Sequence, residues 1–449
     1  TTYTWELRNL PPIEPEPASP SAANLVPRLA VNYGPEGAAS TPGSGRVFNS
    51  WADVSKWTTE LHDPRIEPDD RIALKVRELT ANAKTELEKI QSVARYAQNI
   101  QYISVQVGIG GYQPHAATEV FSKSYGDCKD KVTLMRSMLR ALRMQSYPVL
   151  VYAGDPTFVR EEWPAAGQFN HVIVAVKVSD ETNAPTVMQH PTLGRLLFFD
   201  PTDPHVPVGD LPHHEQGSLG LVAAGDGGAL LRLPVTPPEA NRAERSAELE
   251  LGPDGQLKAV FKERSTGEAA AFERGLFREL PRPEYRKVIE QWIGSGATGA
   301  QITKVEPADA ASEGRFALDV EFTAPKYAQV MQGRLIVFKP AVISHHERLF
   351  LTEEKRKHPI VLSSSAFSET VRVKLPEGFE VDEVPEPTKL DTPFGSYTAD
   401  YEIKDGHLLF KRAFTQRAVT LPAEQYKTVR DFYTRIRAAE QAPVVLAKK

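Results

Sequence analysis

The apolar pattern of this chain changes period at a proline-rich break, and that change limits the folds open to it. Pro234, Pro237 and Pro238 fall within residues 233–245. Proline lacks an amide donor and has a fixed φ, so it ends helices and interior strands. Before the break, Leu87, Ile90, Val93, Ala94, Ala97 and Ile100 share one face of a helix expected over Glu86 to Ile100. Leu134, Met135, Met138, Leu139 and Leu142 make a second such face. Three strand signals follow, Tyr147–Tyr152, His171–Val178 and Leu196–Phe199, each rich in β-branched or aromatic residues. After the break, Leu249–Leu251, Ala259–Glu263, Phe316–Phe322, Gly333–Phe338, Ser368–Leu375 and Leu408–Arg412 alternate apolar and polar residues. That is the pattern of half-exposed antiparallel strands. Helices are expected at Pro283 to Trp292 and at Ala423–Ala439.

The order helix, helix, strand, strand, strand predicts an α+β unit over residues 46–240. Residues 241–449 read as a β-sandwich with helical additions. Residues 1–45 open as if in mid-strand, Thr1-Thr2-Tyr3-Thr4-Trp5, and then turn proline-rich at Pro11, Pro12, Pro15, Pro17 and Pro20. This predicts an extended connector lying against the next unit. The strand-like opening without a methionine leads to the expectation that an N-terminal portion has been removed. The chain has 449 residues, which fits two to four domains of roughly 100–200 residues.

The net charge of -5, with both signs mixed, gives no electrostatic case for nucleic acid. No apolar run reaches the length of about 18 residues that a membrane-spanning helix needs. There is one cysteine, Cys128, so no internal disulfide can form. A lone thiol is either an inert core residue or a reactive one, and its surroundings decide.

Cys128 stands in Tyr125-Gly126-Asp127-Cys128-Lys129-Asp130-Lys131, just before the second apolar helical face. Gly126 permits backbone conformations closed to other residues, and Asp127 is a good N-cap. Cys128 would then open the helix, where the positive end of the dipole favours a thiolate. Free amides there can also donate to an oxyanion. Lys129, Asp130 and Lys131 are expected to form a solvated first turn with ion pairs.

A histidine base is the natural partner, since its pKa lies near neutrality. Of 11 histidines, His171 stands out because it follows Phe169-Asn170 and opens the apolar strand Val172-Ile173-Val174-Ala175-Val176. A histidine satisfied at a strand edge is the alternative. Asp200 ends the strand Leu196-Leu197-Phe198-Phe199 before Pro201-Thr202-Asp203-Pro204 and is the expected group to orient the imidazole. Asp203, inside the turn, competes with it. His205, His213 and His214 match no zinc spacing, so no metal is expected.

The Tyr125–Lys131 stretch, the Phe169-Asn170-His171 strand start and the Phe199-Asp200-Pro201-Thr202 turn together resemble the bacterial transglutaminase-like superfamily. So do the helix ending Asn99-Ile100-Gln101-Tyr102 and the glycine loop Gly108-Ile109-Gly110-Gly111-Tyr112. The resemblance covers about residues 65–225. It implies a papain-like acyl-transfer fold in which Cys128 attacks an amide carbon, His171 moves the proton and Asp200 steadies His171. The Cys128 amide would be one oxyanion donor, with Gln113 and Tyr102 as candidates for the second. Asn170 and Tyr112 are further candidates for lining the cleft, as is Trp163. A peptide or protein amide is the implied substrate, with no cofactor. Residues 1–45 and 245–449 resemble the β-sandwiches that flank the core in one subgroup, whose members are typically exported to the periplasm or cell surface. Two functions follow, an acyl-transfer enzyme or a retired core kept as a scaffold or binding module.

Overall fold

The computed structural model describes residues 2–31, 47–104, 107–344 and 351–449. Part of the proline-rich connector, residues 32–45, lies outside the described residues. Of the opening strand expected at Thr1–Trp5, the described residues 2–5 join no sheet and are exposed.

Between Glu16 and Arg28 the chain makes contacts with both of the units that follow. Glu16 accepts from the amides of Lys357 and His358 at 2.8 and 2.9 Å. Ala18 accepts from Val361 at 2.7 Å. After the short helix α1 (Ala22–Leu25), the Arg28 guanidinium stacks 4.4 Å from the Phe158 ring. Asp155 receives the amide and hydroxyl of Ser21 at 2.8 and 2.9 Å.

The α+β unit begins with α2 (Trp51–His62), α3 (Asp70–Thr80) and α4 (Glu86–Gln98). Capping boxes at Ser50/Asp53 and Thr85/Glu88 start α2 and α4. Then come β1 (Gln101–Tyr102), α5 (Ala117–Lys123), β2 (Tyr125–Gly126) and α6 (Cys128–Ala141). The sheet strands are β3 (Ser146–Val151), β4 (His171–Lys177), β5 (Val187–His190), β6 (Gly194–Phe199), β7 (Leu219–Val222) and β8 (Ala229–Arg232). They form one antiparallel sheet in the order β5-β6-β4-β3-β7-β8.

Both faces of this sheet are buried, which explains why β4 reads as a continuous apolar run. Val172, Val174 and Val176 join the core of α6, with Met135, Met138 and Leu139. Ile173 and Ala175 point to the opposite face, with Val149, Phe198, Leu211 and Leu233. At roughly 1.5–3 kcal/mol per fully buried large apolar side chain, these two layers fix the end of the interior strand β4 at which His171 stands.

The second unit holds β9 (Arg242–Leu251), β10 (Leu257–Thr266), α7 (Gly267–Glu279), α8 (Arg282–Gly296), β11 (Gln301–Ala310), β12 (Arg315–Ala324), β13 (Gln329–Met331) and β14 (Leu335–Phe338). It continues with β15 (Ile360–Leu362), β16 (Ser365–Lys374), β17 (Phe379–Glu383), β18 (Thr388–Thr392), β19 (Gly395–Lys404), β20 (His407–Gln416), β21 (Val419–Leu421), α9 (Tyr426–Gln441) and β22 (Val444–Lys448). An eight-stranded sheet runs β11-β12-β10-β9-β16-β20-β19-β18. The β9–β16 pair at its middle is parallel. Alternate residues of β9, β10, β12 and β20 are buried on one face. That face shares a core with α8, α9 and a four-stranded sheet, β13-β14-β22-β17. The expected sandwich therefore has two sheets, with α7 as a helix that the alternating pattern hid.

Candidate active site

The site is built where α6 starts. Asp127 caps the helix, accepting from the Asp130 amide at 3.3 Å, and Asp130 accepts from the Asp127 amide at 3.3 Å. This reciprocal box fixes Cys128 at the first helical position, where amides have no acceptor within the helix. Gly126 serves this turn by its size rather than by a left-handed backbone. A Cβ there would lie 2.5 Å from the Asp130 Cβ, and Gly126 is not among the glycines with positive φ.

The expected solvated first turn is not found. Lys129, Asp130 and Lys131 are all buried. Lys129 pairs with Asp127. Asp130 also accepts from the His115 amide at 2.8 Å. Lys131 donates to the carbonyls of Gln98 and Ile100, both at 3.0 Å, and so closes the end of α4 against α6. Burial pushes the Lys131 ammonium down to about 8 against the pull of Asp200 and Asp203. Charges sit inside here because each has a partner; unpaired, they would cost several kcal/mol.

Cys128 is 5% exposed. It lines a cavity of about 260 Å³ with Trp57, Tyr112, Lys129, Phe169 and His171. The His171 ring faces the same cavity as the Cys128 thiol and interacts with it. Its Nε2 lies 3.1 Å from Asp200 Oδ2, which leaves Nδ1 as the nitrogen for the thiol. The structure thus brings Cys128, His171 and Asp200 together from α6, β4 and the end of β6. Burial alone would lower the imidazole, but the charge and hydrogen bond of Asp200, with Cys128 and Glu215, hold it well above its ordinary value. Burial would raise Asp200, yet His171, Glu215 and the Thr202 amide bring it down to about 2.

Tyr102 also meets Cys128. Pairing of β1 with β2 sets Tyr102 opposite Gly126, and its phenol interacts with both the thiol and the backbone of Cys128. Burial and the charges of Cys128 and Asp127 push it up to about 12, so it stays a protonated donor at neutral pH. Gln113 is not among the residues around the cavity. Asn170 borders the cavity, but its amide is tied to the backbone of Ala153 at 2.7 and 3.0 Å. Tyr112 lines the cavity and packs on Trp57 with ring centroids 5.0 Å apart. Trp163 is not in the cavity wall; Arg28 lies 5.6 Å from its ring.

Two residues escaped the sequence reading. The Thr202 hydroxyl donates to Asp200 Oδ2 at 2.8 Å and its amide to Oδ1 at 2.7 Å. An aspartate followed two residues later by threonine is a local turn signal that could have found it. Glu215 is fully buried, with Oε1 3.5 Å from His171 Nε2. It lies in an irregular loop, and no local pattern announces it. Asp203 binds the amides of His205 and Val206 at 2.7 and 3.1 Å and serves the turn. His205 and His213 pair with Glu279 and Glu268 at 2.9 and 2.8 Å. Donor atoms of His171, Asp200 and Glu215 lie within 4.8 Å of one another, but the imidazole nitrogen is already taken by Asp200.

No helix among the described residues is long and apolar enough to cross a membrane. No curated protein matches the chain. A solved structure from Parabacteroides distasonis ATCC 8503, described as a candidate protease, matches over 89% of this chain at 14% identity with a TM-score of 0.52. This chain spans 59% of that one, and the likeness speaks to fold alone. Residues 333–446 match a domain of unknown function, DUF3858. Residues 75–183, which include Cys128 and His171 but stop short of Asp200, match the transglutaminase-like superfamily. The chain therefore carries a transglutaminase-like superfamily domain over residues 75–183, followed by a DUF3858 domain over residues 333–446.

Proposed function

We propose that this chain is a cysteine-dependent enzyme that cleaves or transfers amide acyl groups of peptides or proteins. The observation that carries the reading is the line Cys128, His171, Asp200 at one end of a cleft, with the imidazole held by a 3.1 Å bond to a buried carboxylate.

The chemistry follows from that line. A protonated His171 beside the thiol favours a thiolate, because opposite charges stabilise each other strongly in a water-poor cleft. The Cys128 sulfur attacks the amide carbon. The carbonyl oxygen becomes an oxyanion, for which the Cys128 amide and the Tyr102 hydroxyl are the donors. His171 gives its proton to the leaving nitrogen as the C–N bond breaks. A thioester remains on Cys128. Water or an amine then attacks it, His171 takes the attacker's proton, and the thiolate leaves. Asp200 keeps the imidazole oriented and balances its charge throughout.

The test is the rate of Cys128 alkylation against pH, read by intact mass, for the native protein and His171→Ala. An ordinary thiol has a pKa of about 8.5, and its rate falls about tenfold per pH unit below that. In the native protein, rapid alkylation should persist well below neutrality, and His171→Ala should restore the ordinary profile. Ordinary profiles in both proteins would leave a scaffold or binding module as the reading. Cys128→Ala should abolish turnover and thioester trapping.

A further inference from the structure

His171 meets two buried carboxyls on one ring nitrogen, Asp200 at 3.1 Å and Glu215 at 3.5 Å. Glu215 is 0% exposed and neither carboxyl oxygen has a conventional hydrogen-bond partner. An ionised carboxylate in that position would be desolvated and set against the charge of Asp200. A protonated one has an O–H to give, and the Asp200 carboxylate, with an oxygen within 4.8 Å of Glu215, is the acceptor beside it.

We propose that Glu215 is a positioning residue of the site, a proton-bearing carboxyl that donates to Asp200 and through it holds the His171 imidazole in register with Cys128. Of the groups that face it, Asp200 and Asp203 favour a bound proton and the His171 charge opposes it. Asp200, at the end of β6, already receives the Thr202 hydroxyl and amide. With His171 and Glu215 it becomes an anion held by four donors, so it keeps one orientation. His214 lies farther off, 3.9 Å from Glu215 Oε1. Burial, then the charges of His213 and His171, lower the His214 imidazole, so it adds little positive charge that would draw the proton off Glu215. Asp203, in the adjacent turn, adds negative charge and disfavours ionisation of Glu215 further. Burial and the Asp200 charge together hold the Glu215 carboxyl well above its ordinary value. The loop itself is pinned, with the Glu215 amide on the Pro212 carbonyl at 3.0 Å and the Ser218 amide on the Glu215 carbonyl at 3.1 Å.

Glu215 has this role only if Cys128 and His171 act as the pair proposed above, so the test reads both. Glu215→Gln keeps an N–H donor for Asp200 but cannot ionise. Glu215→Leu keeps the volume and loses the donor. The measurement is Cys128 alkylation against pH for the native protein and both variants, with the infrared carbonyl band of protonated carboxylic acids at pH 7. Native protein should show a low-pH alkylation plateau, and Glu215→Gln should subtract one component from its carboxylic-acid absorption, to which the buried Glu273, raised to about 9, also contributes. Glu215→Gln should slow alkylation by about threefold or less, and Glu215→Leu by about tenfold or more, the worth of a hydrogen bond to a charged group. If Glu215→Leu does not fold, the infrared difference between native protein and Glu215→Gln decides alone. An unchanged band, or equal alkylation in folded Gln and Leu variants, overturns the role of Glu215 while the native plateau stands. Loss of the plateau in the native protein itself overturns the acyl-transfer reading instead.

Discussion

The guanidinium of Arg274 donates to the carbonyl of His205 at 2.6 Å. Arg274 belongs to α7 of the second unit, and His205 belongs to the turn that follows Asp200. Arg274 is buried and also binds Asp309 at 2.8 Å and the Arg315 carbonyl at 3.0 Å. From the other side, Gln98 Nε2 donates to the carbonyls of Asp203 and Val206, both at 2.8 Å. The turn that carries Asp200 is thus clamped between α4 and the sandwich. The second unit is part of what holds the site in shape.

Arg274→Met should therefore act at a distance. It leaves two carbonyls short of a buried donor while Asp309 keeps Arg278 at 2.6 Å, and a buried group left without its hydrogen bond costs roughly 1–3 kcal/mol. The expected outcome is a lower denaturation midpoint together with a broadened pH profile of Cys128 alkylation. Loss of stability with an unaltered profile would mean that the clamp supports the fold and leaves the site alone.

Gly126→Ala probes the other side of the cysteine. The added Cβ would meet the Asp130 Cβ at 2.5 Å, and either the backbone or the capping box must give. Overpacking typically costs about 1–3 kcal/mol and loss of a cap about 1. Chemical denaturation should show a loss in this range, and the alkylation rate should fall with it, because the cap sets where Cys128 points.

Much of this site was legible in the sequence because it is local. Asp127 before Cys128, His171 at the mouth of an apolar strand and Asp200 before a proline each sit at an element boundary, where side-chain chemistry and chain geometry are coupled. The strands of the first unit were legible for the same reason, since a sheet buried on both faces writes itself as runs of valine and phenylalanine. What could not be read is set by distance along the chain. Glu215 lies 44 positions after His171 in the chain and meets it in space, and nothing near it in sequence differs from an ordinary loop. Lys129 and Lys131 look like surface residues until α4 and the Asp127 carboxylate close over them. Helix α7 was missed because Gly267 starts it directly after a strand, with no side-chain cap.

Tyr102 and Gln113 are both candidates for the second oxyanion donor; neither is in the cavity wall, and of the two it is Tyr102 that interacts with Cys128. Tyr102→Phe keeps the ring and removes the hydroxyl beside the Cys128 backbone. Loss of an oxyanion donor typically costs about 10²–10³ in rate, so acylation of Cys128 by an activated ester should slow by that order. Gln113→Ala should change it by about twofold at most, as for positions away from the chemistry. Equal effects of the two substitutions would remove Tyr102 from the oxyanion site.

His62 gives the cleft its own acid sensitivity. The ring is buried behind the cavity, and Nε2 contacts the Tyr112 carbonyl at 3.2 Å. Burial, followed by the charge of Arg136, pushes the imidazole down to about 3; Lys129 adds to this, and the Tyr112 carbonyl opposes it. The unfolded chain would protonate the same ring near its ordinary value of about 6.5. Between these values the unfolded state binds more protons, so stability rises with pH. The contribution is complete above about pH 6.5 and is lost progressively as pH falls towards 3. Glutamine at this position retains a donor for Tyr112 and cannot titrate. The difference in urea midpoint between pH 7 and pH 5 should therefore be smaller in His62→Gln than in the native protein, by an amount on the order of a kcal/mol or two once converted to free energy. Equal differences in the two proteins would mean that the ring is already protonated at pH 5 in the folded state, with its charge held by a partner in the cleft.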